Sequence, residues 1–253
     1  MKSISKIFFL LIFFIAAGTD LYAQQGTSIP IPKIDFNIGT SSNPEEVSST
    51  LQLLLLLTIL SLAPSILIMT TSFLRLIIVF HFLRQALGTM QMPPNQLLAG
   101  IAMFVTFFIM QPTINNVNDN ALQPYLNNEI TVDSAYARGI KPVREFMLRN
   151  VRDEDLQLFI SLSSDTQPEK KDDLSTMTLI PAFVISELRA GFVIGFFLFI
   201  PFLMIDMIVG SILMSMGMMM LPPMLVSLPF KILLFILVDG WNLIIGSLVR
   251  SFG

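Results

Sequence analysis

The chain contains no cysteine and only one histidine, His81. The first absence excludes disulfide bonds, thiolate metal sites and cysteine nucleophiles, and a lone histidine cannot form a multi-histidine metal site. Charged residues are also scarce, at 13% of the chain against about 25% in an average soluble domain. The net charge of −3, without a basic stripe, argues against nucleic acid as a partner.

The sequence also lacks the common catalytic motifs. It has no Gly-x-Ser-x-Gly elbow, no His-Glu-x-x-His pair and no phosphate-binding glycine loop followed by a lysine. We therefore predict no catalytic residue, no metal site and no cofactor, and we expect that the protein is not an enzyme.

Apolar residues are what the chain has in excess, at 53% of its length. They are concentrated in four blocks, at 51–83, 97–111, 179–221 and 224–249. Blocks of about 20 apolar residues are typical of membrane-spanning helices, so the fold class is predicted as all-α and membrane-associated. One block is short and another too long for a single span. Helices packed in a closed oligomer, partly out of the lipid, fit these lengths as well as four simple spans do.

The N-terminus has the pattern of a secretory signal. Lys2 and Lys6 precede an apolar run at 7–17, and Ala23 offers a small residue for cleavage. We predict a cleavable signal peptide at 1–23 and a flexible extracytoplasmic segment at 24–50, which is rich in Ser, Pro, Thr and Asn.

The rest of the chain divides into three predicted regions. Residues 51–112 form a first apolar helical region with a kink near Pro64, and residues 179–253 form a second one. Between them, residues 113–178 form a polar extracytoplasmic insert. Helical periodicity predicts two amphipathic helices in it, with Pro142 in a first turn, followed by a charged loop at 165–173.

Ionisable residues inside the apolar regions need partners, because a charge in hydrocarbon is costly. Glu187 and Arg189 are two residues apart, about 200° around a helix, so they point to opposite sides. Each is predicted to reach a neighbouring helix or subunit, and we predict Glu187, Arg189 and Asp206 as subunit contacts.

Four further ionisable residues lie in or beside the apolar blocks. Lys231 and Asp239 are eight positions apart, so on one continuous helix they would share a face. A proton path, pairing between subunits and snorkelling to the membrane interface are all open for them. Arg75 and Arg84, near the end of the first apolar block, are interpreted as anchors to lipid headgroups.

The most unusual segment is rich in methionine. Residues 204–224 hold eight of the sixteen methionines, and 216–223 reads Met-Gly-Met-Met-Met-Leu-Pro-Pro. Methionine is flexible and polarizable, so a set of such side chains could close around irregular cargo. The alternative is adaptable core packing. The double proline ends a helix there and is tolerated at membrane depth only inside protein or beside a cavity.

Several of these segments resemble one known family, the flagellar biosynthetic protein FliP family and its SctR relatives in injectisomes. The resemblance covers about residues 50–253 and is carried by the motifs at 71–75, 85–89, 142–149, 181–196, 199–207, 214–223, 227–231 and 238–241. The Leu221-Pro222-Pro223 motif and the predicted signal favour the flagellar branch.

The resemblance implies a pore-forming subunit of a type III protein export gate. In that family about five copies assemble with FliQ-like and FliR-like subunits into a closed helical oligomer. The implied pore gasket here is Met218, Met219 and Met220, with Gly217 allowing close backbone approach and Pro222 and Pro223 fixing the end of the loop. Unfolded flagellar proteins are the implied cargo.

The same resemblance implies a location and further partners. The assembly lies in the bacterial inner membrane, at the periplasmic level of the flagellar basal body, in contact with membrane lipid and other export-apparatus membrane proteins. Two alternatives remain at this point. One is an injectisome subunit with different cargo; the other is a proton-coupled small-solute transporter using Glu187 or Asp206, which would predict an internal repeat.

Overall fold

The structure is a computed structural model that describes residues 44–89, 92–163, 174–218 and 220–252. It contains two compact units, at 1–52 and 53–253, and the account below concerns the second. The predicted signal peptide, most of the predicted flexible segment and the charged loop at 165–173 lie outside the described residues.

The described residues are helical and contain no β-strand, which confirms the all-α prediction. A π-helical turn at Asn118–Leu122 joins the third and fourth helices. The α-helices are α1 (Pro44–Met69), α2 (Phe73–Leu87), α3 (Asn95–Val117), α4 (Gln123–Leu126), α5 (Val132–Asn150), α6 (Asp153–Leu162), α7 (Thr176–Ser215), α8 (Pro223–Leu237) and α9 (Gly240–Arg250).

The first apolar region breaks at a different place from the one predicted. Pro64 lies inside α1, and the chain turns at 70–72 instead. The side chains at 51–69 of α1 are mostly exposed, whereas Ser72 is fully buried and the core begins at Leu76. The break between the two helices therefore falls where the chain passes from exposed side chains to buried ones.

The packing of α2 on α7 organises this unit. The two helices run parallel, since Arg75, Ile78 and Phe82 meet Glu187, Gly191 and Gly195 in that order. A Cβ built on Gly195 would lie 2.6 Å from Cδ2 of Phe82, closer than real side chains approach. The glycine pair thus lets the two backbones come close, as small residues do between membrane helices.

The short apolar block at 97–111 belongs to a much longer helical segment. Residues 95–126 form a segment of 32 residues through α3, the π turn and α4. The helix therefore continues past residue 113, where we predicted that the polar insert begins. Helical backbone does not stop where the side chains become polar, because its hydrogen bonds are internal to the segment.

The insert contains the two predicted amphipathic helices, α5 and α6. Thr131 caps α5 by accepting a hydrogen bond from the backbone N–H of Ser134 at 3.4 Å. The helix therefore begins ten residues before Pro142, which lies inside α5 and not in its first turn. Sequence periodicity identified the helix and missed its N-terminus.

This unit contains two hydrophobic cores. The first joins α2 to α3, α7, α8 and α9 and includes Leu76, Phe80, Leu83, Phe202 and Leu248. The second joins the insert to the N-terminal part of α7 and includes Met110, Phe146, Met147, Leu179 and Phe183. The insert is thus anchored to the apolar helices by its own core.

Three of the helical segments are long and apolar enough to cross a membrane: 51–69, 95–126 and 176–215. The pair α8 and α9 would add a fourth if it is one broken span, since the two helices are bent by 62°. Most of the long apolar block at 179–221 thus lies in one 40-residue helix, α7, which contains Pro181 and Pro201 and is followed by a hairpin turn.

Candidate functional site

The methionine-rich turn joins α7 to α8 at the tip of a helical hairpin. The N–H of Gly217 donates to the carbonyl of Met214, and the N–H of Met218 donates to that of Leu213, both at 3.0 Å. With φ of +75° at Gly217, this is a Schellman cap, which requires a left-handed residue and so favours glycine. No atom lies within 4 Å of a Cβ built there, so within the chain the backbone conformation, rather than close approach, explains the glycine.

The two prolines begin the return helix. Pro222 is extended at ψ of 119° and Pro223 occupies the first turn of α8, where a proline costs no hydrogen bond. The two prolines therefore lie where the turn ends and α8 begins. The turn is consequently defined at both ends, by a glycine cap on one side and a proline pair on the other.

The methionines of the turn point away from the chain's own cores. Met218 is 43% exposed and Met220 is 98% exposed, and Met216 is exposed as well. Met219, the third predicted gasket residue, lies outside the described residues. The exposed side chains argue against the packing interpretation within a single chain, because core methionines would be covered.

A buried ion pair ties α2 to α7. Nε and Nη2 of Arg75 donate to the two carboxylate oxygens of Glu187 at 2.9 and 2.5 Å, and the Glu187 residue is fully buried. Nη1 of Arg75 donates to the carbonyl and hydroxyl oxygens of Ser251 at 3.1 and 2.9 Å. The guanidinium also stacks 3.7 Å from the ring centroid of Phe252. All three guanidinium nitrogens thus have partners, which a buried arginine needs.

The ion pair contradicts the predicted role of Arg75 and identifies the partner of Glu187. Arg75 is 6% exposed and does not anchor headgroups. Glu187 does reach a neighbouring helix, and that helix belongs to the same chain. No sequence pattern indicated that Ser251 or Phe252 belongs to this site.

A second polar cluster joins α7, α8 and the end of α2. Nζ of Lys231 donates to Asp206 at 2.6 Å and to the carbonyl of Ala86 at 3.1 Å. The hydroxyl of Ser227 donates to the other Asp206 oxygen at 2.5 Å. Lys231 is 1% exposed, so its charge is balanced inside the protein by the Asp206 carboxylate.

The prediction that Lys231 and Asp239 share one helix face is wrong. Asp239 lies in the break between α8 and α9 with φ of +49°, and it accepts a hydrogen bond from Asn242 at 3.1 Å. A break in the helix changes the direction of the chain, so the eight-residue spacing no longer places the two residues on one face.

Arg189 is exposed on α7 and forms no ion pair within the described part of the chain. It lies between the exposed apolar side chains of Ile185 and Phe192. Of the three predicted subunit contacts, Glu187 and Asp206 have partners in the same chain, whereas no ion-pair partner of Arg189 lies among the described residues. Among the described residues, no group of three or more His, Asp or Glu side chains could hold a metal ion.

Long apolar helices, charges buried between them and an exposed methionine turn at a hairpin tip define a helical membrane protein. The sequence matches the model of the FliP family over residues 56–248. The chain belongs to the FliP family.

Curated relatives agree with this assignment over most of their length. Flagellar biosynthetic protein FliP of Bacillus subtilis is 56% identical over 216 residues, which is 85% of this chain and 98% of the relative. The protein of the same name from Aquifex aeolicus is 47% identical, over 88% of this chain and 92% of the relative. That of Borreliella burgdorferi is 42% identical, over 94% and 92%.

Proposed function

We propose that this protein is a pore-forming subunit of the flagellar protein export gate, through which unfolded flagellar proteins pass. The name shared by its relatives supports a role in flagellar biosynthesis. The observation that carries the pore function is the exposed methionine turn, held in place by the Gly217 cap at one end and the two prolines at the other.

In this proposal the methionines of several copies meet and close the pore. Flexible thioether side chains can fill an irregular gap and make room when a chain passes. Met218, Met219 and Met220 form the gasket, and the exposed apolar side chains of the hairpin pack against neighbouring copies. The seal is thus mechanical, and no bond is made or broken in the cargo.

The oligomer in this proposal contains about five copies, together with FliQ-like and FliR-like subunits, in the bacterial inner membrane and at the periplasmic level of the basal body. Exposed apolar residues on α7, including Phe192, Phe196 and Phe197, support burial against other subunits or lipid. Arg189 contacts an acidic group of a neighbouring subunit directly. Glu187 and Asp206 contribute by fixing α7 against α2 and α8, so that this surface has a defined shape.

The first experiment replaces Met218, Met219 and Met220 together with alanine in cells that make the other gate subunits. We expect the complex to assemble at its normal mass and the inner membrane to leak small ions, because alanine leaves the gap unfilled. Membrane conductance gives the readout and native mass spectrometry checks assembly. Met177→Ala is a matched control, since Met177 is 84% exposed on the insert side of α7, far from the turn.

Normal conductance in the triple variant, with the complex assembled, would contradict the gasket role. A complex that contains one or two copies and no other subunit would contradict the gate itself. In that case the transporter alternative would become the better explanation.

A further inference from the structure

The methionine turn is carried by a projecting pair of helical segments, which we name the Met arm. It comprises residues 207–215 of α7, the turn, and residues 223–230 of α8. Most of its large side chains are exposed; Met207, Ile208, Ile212, Leu225 and Phe230 are each more than half exposed. The arm therefore has little apolar packing of its own to fix its direction relative to the rest of the chain.

Polar bonds cluster where this arm begins. Asp206 accepts one hydrogen bond from Ser227 and one from Lys231, and Lys231 also donates to the carbonyl of Ala86 at the end of α2. We name these side chains, Asp206, Ser227 and Lys231, the latch. It connects both segments of the arm to a third helix that belongs to the first hydrophobic core.

We propose that the latch is a positioning device that holds the Met arm, and with it the methionine turn, in the sealing position. This inference rests on the proposed gasket function of the turn. Charge-assisted hydrogen bonds are short and directional, so they fix the angle of two helices more tightly than apolar contacts do. Loss of the Asp206 carboxylate would leave Lys231 bonded to α2 alone and would release α7 from α8 at the base of the arm.

A disulfide between the two segments of the Met arm would report whether they are aligned. A Cβ built on Gly210 lies 3.6 Å from the Cβ of Pro223, within the range of about 3.5–4.5 Å found in disulfides. Because the chain has no cysteine, a Gly210→Cys/Pro223→Cys variant would contain the only two thiols in it. Its oxidation rate reports whether α7 and α8 are aligned above the latch.

The test compares this double-cysteine protein with and without Asp206→Ala, in membranes that contain the assembled complex. We expect the disulfide to form readily with Asp206 present and about tenfold more slowly without it, which corresponds to a shift of ~1.4 kcal/mol in the aligned population. Ser211→Ala is the matched control. Its hydroxyl donates to the carbonyl of Met207 in the same helix and has no other partner among the described residues, so the rate should not change.

If the alanine variant does not accumulate, Asp206→Asn replaces it, since asparagine keeps the shape and removes the charge. An unchanged oxidation rate in whichever Asp206 variant accumulates would overturn the latch. Equal slowing by Ser211→Ala would overturn it too, because the effect would then not be specific.

Conductance, measured on the Asp206 variant that keeps Gly210 and Pro223, separates this inference from the proposed gasket function. A slow disulfide together with ion leakage supports both the latch and the gasket. A slow disulfide without leakage supports the latch and contradicts the gasket role of the turn. A normal disulfide rate in a protein whose methionine variant leaks contradicts the latch alone.

Discussion

Replacement of Glu187 by alanine should destabilise the isolated chain strongly. The substitution removes two charge-assisted hydrogen bonds, at 2.9 and 2.5 Å, and leaves the guanidinium of Arg75 buried at 6% exposure without its counter-charge. Removing one member of a buried ion pair costs about 3–5 kcal/mol. The remaining contacts of Arg75 with Ser251 and Phe252 contain no negative charge and cannot replace the carboxylate.

The assay is equilibrium unfolding of the chain in detergent, followed by the fluorescence of Trp241. This is the only tryptophan in the chain, and it packs against Phe80 and Phe235 in the first core, so it reports the loss of that core. Glu145→Ala is the control: its ion pair with Lys141 is long, at 4.0 Å, and exposed, and it should contribute less than about 1 kcal/mol.

A double variant, Arg75→Met with Glu187→Leu, extends the same prediction. Replacing both charges by apolar side chains should restore most of the stability, because no unpaired charge is left. A cost below about 1 kcal/mol for Glu187→Ala in the isolated chain would refute the buried pair. If stability fell only in the assembled complex, Glu187 would pair with another subunit instead.

Two further predictions concern packing and the insert. Gly195→Ala should cost about 1–3 kcal/mol in the same unfolding assay, because its Cβ would overlap Phe82; Gly100→Ala, with no neighbouring atom within 4 Å, should not destabilise the chain. Ser186→Ala should loosen α6, since the Ser186 hydroxyl donates to Asp155 at 2.7 Å; faster hydrogen exchange in α6 would show it, and unchanged exchange would contradict it.

Local signals predicted the parts of this protein that depend on local chemistry. Pro222 and Pro223 lie where a helix starts, which favours proline, and Gly217 forms a left-handed cap, although we predicted close backbone approach for that glycine. The periodicity of the insert likewise predicted α5 and α6. These features depend on a few consecutive residues, and a sequence shows such residues directly.

The partners in each ion pair are brought together by tertiary structure, so local sequence patterns did not predict them. Arg75 and Glu187 are separated by 112 positions, and no local pattern connects them. Lys231 and Asp239 were expected to share a helix face only while α8 was assumed to continue. The break at 238–239 removes that geometry, and the ion-pair partner of Lys231 is Asp206 of α7, which no local pattern indicated.

The contacts of Arg75 with Ser251 and Phe252 also determine when this site can be completed during synthesis of the chain. Arg75 and Glu187 are synthesised before residues 251 and 252, so any ion pair formed before these two residues are made would lack both Ser251 oxygens at Nη1 of Arg75 and the Phe252 ring over its guanidinium. The full set of Arg75 contacts therefore requires residues from three parts of the chain, and those at 251 and 252 are the last of them to be made.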